Sequence, residues 1–139
     1  MRQLDLLIAE DNVSDARLIK RILEKENLTT SFYWVKDGEQ IVDYLMKMEN
    51  PLPKVVVLDI KMPRLDGFGV LRQLKADKRT SKIPIIMYSS SSEVSDIDLA
   101  YTLGANSYLS KPTKLENMKE LFTRICHYWI STNRTVYDA

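Results

Sequence analysis

Residues 55–67 read Val-Val-Val-Leu-Asp-Ile-Lys-Met-Pro-Arg-Leu-Asp-Gly, and the first four of them decide the fold. Val55 to Leu58 is an unbroken apolar run of strand length, where a strand with one wet face would alternate. Ile85-Ile86-Met87 is written the same way. Strands that are apolar on both faces belong in a parallel sheet covered by helices on each side. Working outward, Leu4–Ala9, Ser31–Val35 and Ser107–Leu109 are the remaining short apolar or β-branched runs.

Helical periodicity fills the intervals. Val13, Ala16, Ile19 and Leu23 share one face. Asp37 with Gln40, and Thr113 with Glu116, have the spacing of a capping box. Leu115, Met118, Phe122, Ile125 and Trp129 then form a long apolar stripe. Over Glu93–Leu103 the apolar face is thin, carried by Val94, Ile97 and Tyr101. A moving part and a short exposed helix explain that segment equally well. Strands alternating with helices in this way predict an α/β fold, a doubly wound (βα)5 parallel sheet of five strands. No repeat or Pro/Gly-rich linker interrupts the chain. We expect a single domain over residues 1–139, with its core at about 4–130, a short polar tail at 131–139 and no output domain.

Bulk composition narrows the class. The chain has 139 residues, 45% of them hydrophobic and 28% charged, which suits a soluble globular domain with a genuine core. A net charge of +1 and a pI near 7.8 give no electrostatic case for nucleic acid. The one cysteine, Cys126, cannot form an internal disulfide, which fits a reducing compartment. The opening MRQLDLLIAED is too short and too acidic for a secretory signal, and no apolar run reaches membrane-spanning length. A cytoplasmic location is expected.

In open α/β sheets, ligands sit beyond the carboxyl ends of the strands. After the first strand come Glu10 and Asp11; after the third, Asp59; after the fourth, Ser89; after the fifth, Lys111 and Pro112. Carboxylates forced together repel unless a cation intervenes. Mg²⁺ is the hard cation that takes such carboxylates together with phosphate oxygens. One carboxylate is then free to act as nucleophile towards a phosphoryl donor. Lys111 supplies a point charge for the phosphoryl oxygens, and Ser89 a hydroxyl that can turn towards them. Singly, each residue is better explained as a solvated loop or a helix start. It is the arrival of complementary groups at one rim that points to chemistry.

The chain resembles the receiver domain of two-component response regulators over residues 4–130. The resemblance is carried by Glu10-Asp11-Asn12, Asp59-Ile60-Lys61-Met62-Pro63 with Asp66-Gly67, Ile85 to Ser90, Gly104-Ala105, and Tyr108 with Lys111-Pro112. It implies a flavodoxin-like strand order of 2-1-3-4-5 and a phosphoacceptor at Asp59. It further implies Mg²⁺ (or Mn²⁺) held by Asp11, Asp59 and the Lys61 backbone carbonyl, with Glu10 acting through a water. Lys111 and Ser89 become the phosphate-binding pair, Ser89 and Tyr108 the switch, and the Lys111–Pro112 bond cis. Lys61 and Ser91, two residues beyond Asp59 and Ser89, become positions that tune kinetics. The implied partner is a sensor histidine kinase.

Residues 105–112, together with Tyr128-Trp129, resemble stand-alone receivers paired with phytochrome-like or hybrid kinases. The expected readout is a protein surface formed by 93–103, 107–109 and the last helix. That surface supports a homodimer with Tyr101, Tyr128, Trp129 and Ile130 at its interface. Packing or loop roles suffice for His127, Cys126, the charged run 75–82 and the serines 90 and 92. A dehalogenase-like phosphatase would carry a second Asp at position 61, where this chain has Lys. A receiver-like scaffold would be expected to lose Asp59 or Lys111, and a nucleotide-binding relative would need a glycine-rich loop that four glycines do not form here.

Overall fold

The computed structural model describes residues 4–138. The strands are β1 (Leu4–Ala9), β2 (Phe32–Val35), β3 (Pro53–Leu58), β4 (Ile85–Ser89) and β5 (Ser107–Ser110). The helices are α1 (Val13–Lys25), α2 (Gly38–Met46), α3 (Gly67–Ala76), α4 (Val94–Thr102) and α5 (Leu115–Ile125). All strand pairs are parallel, in the order β2-β1-β3-β4-β5.

Both sheet faces are covered, as the continuous apolar strands require. Leu7, Ala9, Val56, Leu58, Ile85 and Met87 pack towards Ile41 and Leu45 of α2, Val70, Leu71 and Leu74 of α3, and Ala100 of α4. The alternate residues Leu6, Ile8, Val55, Val57, Ile86 and Tyr88 pack towards Ile19, Ile22 and Leu23 of α1 and Met118, Phe122 and Ile125 of α5. The period-2 alternation of a strand therefore divides one apolar run between two cores.

Local chemistry sets most helix ends. Asn12 caps α1, its side chain accepting from the Asp15 N–H at 3.0 Å, while Val13 stays 40% exposed rather than joining the buried face. Asp37 caps α2, accepting from the Gln40 N–H at 2.9 Å, and Gln40 in turn accepts from the Lys36 N–H. The Thr113–Glu116 capping box does not form. The N-cap of α5 is Lys114, one residue later, with no side-chain cap bond. Starting there brings Met118, Phe122 and Ile125 inward, and Leu115 is left 53% exposed.

The thin helix is anchored differently from expectation. Ala100 is its buried residue, whereas Val94 is 79% and Tyr101 50% exposed. Gly104 ends it at φ +105°, a conformation only glycine adopts cheaply, and the Ala105 N–H closes onto the Ala100 carbonyl.

Beyond α5 the helix widens into a π-helical turn, Cys126–Thr132. Of the short polar tail expected at 131–139, residues 131–138 are described, and Tyr137 ties it back to the body of the domain. The Tyr137 ring packs against the core, its hydroxyl donates to the Arg79 carbonyl at 3.1 Å, and it accepts from the Lys82 N–H at 3.3 Å. Arg79 meanwhile donates to the carbonyls of Leu45, Lys47 and Asn50 at the end of α2, where no basic residue of the helix itself is available. An aromatic ring at 137 is what a reading of polarity overlooks.

Candidate functional site

Strand register assembles the site. Ala9 pairs with Leu58, so β1 and β3 end level, and the Asp59 N–H donates to the Ala9 carbonyl at 3.1 Å. Ser89 pairs with Ser110, and the Lys111 N–H donates to the Ser89 carbonyl at 2.8 Å. Glu10, Asp59, Ser89 and Lys111 therefore leave the sheet at one height.

The acidic groups lie at different depths. Glu10 is 1% and Asp59 5% exposed, whereas Asp11 faces solvent. One carboxylate oxygen from each of the three lies within 4.8 Å of the others. Glu10 is held from both ends. Its carboxylate accepts from the Asn12 N–H at 3.1 Å, and its carbonyl accepts from the Trp34 indole at 2.7 Å.

Lys111 sits among these anions. Its ammonium lies 2.9 Å from Asp59 Oδ2, 2.8 Å from Glu10 Oε1 and 3.9 Å from Asp15 Oδ2. The Asp59 contact is an aligned hydrogen bond, while the Glu10 contact is an ion pair without that alignment. Burial raises the Glu10 carboxyl to about 7, against the opposing pull of Lys111 and the Asn12 N–H, with Asp59 adding repulsion. Burial by itself would lower the Lys111 ammonium. Contacts with Glu10 and Asp59 outweigh that, and Lys111 is held well above its ordinary value.

The opposite side of the site forms one connected chain. Ser89 is buried, and its Oγ accepts from the Ser91 N–H at 3.0 Å. The Ser91 carbonyl accepts from the Tyr108 hydroxyl at 2.9 Å, and Ser91 Oγ donates to Asp96, in the first turn of α4, at 2.6 Å. Ser89, Ser91 and Tyr108 are thus linked to one another and to α4.

The remaining expected residues are placed as follows. Lys61 is exposed, two residues beyond Asp59, while its neighbour Met62 turns into the core. Tyr101 and Tyr128 are half exposed. Trp129 and Ile130 pack towards the α1/α5 core, and Tyr128 meets the Trp129 ring edge-on at 5.0 Å. Among the described residues no peptide bond is cis, so Lys111–Pro112 is trans, contrary to expectation. The ordinary X–Pro preference for trans holds here, and the Lys111 ammonium reaches both carboxylates in that form.

Sequence reading missed three participants. Asp15 stands in the first turn of α1, with its carboxylate 3.9 Å from the Lys111 ammonium. Trp34 and Tyr88 were read only as strand residues. Tyr88 is 1% exposed, its hydroxyl has no partner among the described residues, and the Lys111 ammonium lies 5.6 Å from its ring centroid. An orphaned buried hydroxyl of this kind costs about 1–3 kcal/mol.

Glycine also shapes the site. A Cβ on Gly67 would stand 2.3 Å from the Asp59 carbonyl oxygen, and the Gly67 N–H donates to the Ile60 carbonyl at 2.8 Å. Only glycine lets α3 start that close to the backbone of Asp59.

The response regulator receiver domain matches residues 6–123. FilR2 of Methanothrix harundinacea, a probable methanogenesis regulatory protein, is 37% identical over 133 residues, covering 94% of this chain and 86% of its own. The phosphorylated structure of the cyanobacterial phytochrome response regulator RcpA aligns with a TM-score of 0.87 at 28% identity, over 97% of this chain and 99% of that one. The Mn²⁺-bound structure of the response regulator Rcp1 from Synechocystis sp. aligns with a TM-score of 0.86 at 25% identity, over 95% and 98%.

Proposed function

The chain belongs to the response regulator receiver domain family, and from that membership we propose that Asp59 accepts a phosphoryl group and so switches a protein-binding surface. The observation that carries the assignment to Asp59 is its buried carboxylate lying 2.9 Å from the Lys111 ammonium, beside Glu10 and Asp11. In the reaction an Asp59 carboxylate oxygen attacks phosphorus, a P–O bond forms, and the bond to the donor breaks. With a phosphohistidine donor the N–P bond breaks, and the leaving imidazole nitrogen takes a proton from solvent water. Lys111 needs only a small movement to follow the oxygens of the incoming group.

The hard oxygen donors of Glu10, Asp11 and Asp59 fit Mg²⁺ or Mn²⁺, and we assign a further ligand to the Lys61 backbone carbonyl and a water-mediated role to Glu10. Such an ion neutralises charge on the transferring phosphoryl group. Mn²⁺ in the Rcp1 structure supports this reading.

Phosphorylation adds roughly −1.5 to −2 charges and three acceptor oxygens. In our reading Ser89 Oγ turns from the Ser91 N–H to those oxygens, which releases the Ser91–Tyr108 link and biases α4 and β5. Moving a switch from 1:99 to 99:1 takes about 5.5 kcal/mol. A few charge-assisted hydrogen bonds, roughly 1.5–3 kcal/mol each, supply that. The donor we assign is a sensor histidine kinase, phytochrome-like or hybrid, by analogy with RcpA, and we assign the chain itself to the cytoplasm. The readout we assign is the α4-β5-α5 face, a homodimer surface on which Tyr101 and Tyr128 are exposed and Trp129 and Ile130 lie behind. Residues 1–139 then form one receiver domain.

The test is incubation with Mg²⁺ and acetyl phosphate, followed by intact mass and gel filtration. Wild type gains one base-labile phosphoryl group and Asp59→Asn gains none. No gain on wild type, or an equal gain on Asp59→Asn, refutes the assignment. A change of elution volume confined to the phosphorylated sample identifies dimerisation as the readout.

A further inference from the structure

We propose that Tyr88 is a positioning residue for Lys111, its ring face forming a seat that keeps the ammonium at the phosphoryl site while its anionic partners change. This rests on the phosphoacceptor reading above and deepens it. The Lys111 ammonium lies 5.6 Å from the Tyr88 centroid, within the range of a cation–π contact, and the ring itself is almost fully buried. Desolvation strengthens such a contact, because water no longer competes for the cation.

The ring is itself fixed. It meets Phe122 of α5 edge-on, at 5.4 Å and 76°, within the α1/α5 core. The seat is therefore rigid and borrowed from the core, whereas Lys111 hangs on a flexible stem. In the resting state the ammonium is shared between Asp59 and Glu10. Phosphoryl transfer to Asp59 redistributes that negative charge, so a lysine held by carboxylates alone would lose its reference point. An uncharged ring does not change with the state of Asp59.

The hydroxyl sharpens the case. It is buried without a partner among the described residues, so it does not explain why an aromatic ring stands here. Phenylalanine keeps the seat and discards the orphan.

The test compares Tyr88→Phe with pentafluorophenylalanine at position 88, which has nearly the same shape but a reversed ring quadrupole. Phosphoryl uptake from acetyl phosphate is followed by intact mass. The fluorinated ring is expected to take up the phosphoryl group roughly two- to thirtyfold more slowly than Tyr88→Phe. In a Lys111→Met background the two rings are expected to behave alike. Equal rates for both rings with Lys111 intact, equal slowing by both, or slowing by the fluorinated ring that persists without Lys111 would each overturn the proposal. Should wild type take up no phosphoryl group, the phosphoacceptor reading fails separately. The seat is then judged from the Lys111 ε-methylene proton resonance of the metal-free protein. The ring shifts it upfield in wild type and Tyr88→Phe but not in Tyr88→Leu, and a wild-type resonance at the exposed-lysine position overturns the seat as well.

Discussion

Glu10 is the residue whose chemistry is most altered by its surroundings. Burial raises its carboxyl from 4.5 to about 7, so across that window the folded, metal-free protein holds a proton that the unfolded chain has released. Stability from this group is therefore full at low pH and lost as pH rises through about 7, by roughly 3 kcal/mol at most. Urea titrations of metal-stripped protein are expected to show a falling midpoint between about pH 5 and pH 8, and Glu10→Gln to flatten that slope. Divalent-cation affinity should move the other way, rising as Glu10 ionises. Lys61 makes the second prediction at this scale. It is exposed and two residues past Asp59. Lys61→Ala should change the phosphoryl lifetime, measured as mass decay after removal of the donor; an identical decay rate rules out the tuning role. Cys126 is the opposite case. Burial, with Asp5 adding repulsion, pushes its thiol up to about 12, so it is a packing residue rather than a nucleophile.

Among elements, the β3–α3 connection is the most constrained. The loop from Asp59 to Gly67 must carry Asp59 inward, bury Met62 and return within hydrogen-bond reach of the Ile60 carbonyl. Gly67→Ala places a methyl 2.3 Å from the Asp59 carbonyl oxygen, and backbone cannot yield as a side chain does. We expect a loss of roughly 1–3 kcal/mol in chemical denaturation together with slower phosphoryl uptake. A variant of unchanged stability and uptake refutes that account. The α4 element stands at the other extreme. Tied to the site through Ser91 and Asp96, it has Ala100 as its one buried residue, fewer than any of the other four helices.

For the whole molecule, the carboxyl ends of the strands carry chemistry and the amino ends carry reinforcement. Tyr137 grips the loop before β4, and Arg79 in that loop grips the end of α2, far along the sheet from Asp59. Tyr137→Ala should therefore lower stability by roughly 1–3 kcal/mol in denaturant melts while leaving phosphoryl uptake at the wild-type rate. A loss of uptake at full stability contradicts this division of labour. The parallel sheet, both of its cores and the rim carrying Glu10, Asp11, Asp59, Ser89 and Lys111 were legible in the chain. Strand runs and strand ends are local patterns, and a parallel sheet brings its strand ends together by construction. Asp15 and Tyr88 beside Lys111, the α5 start at Lys114, the trans bond to Pro112 and the Tyr137 clasp were not. Each depends on which atoms meet across elements, and sequence spacing encodes periodicity along an element but not the distance between two of them.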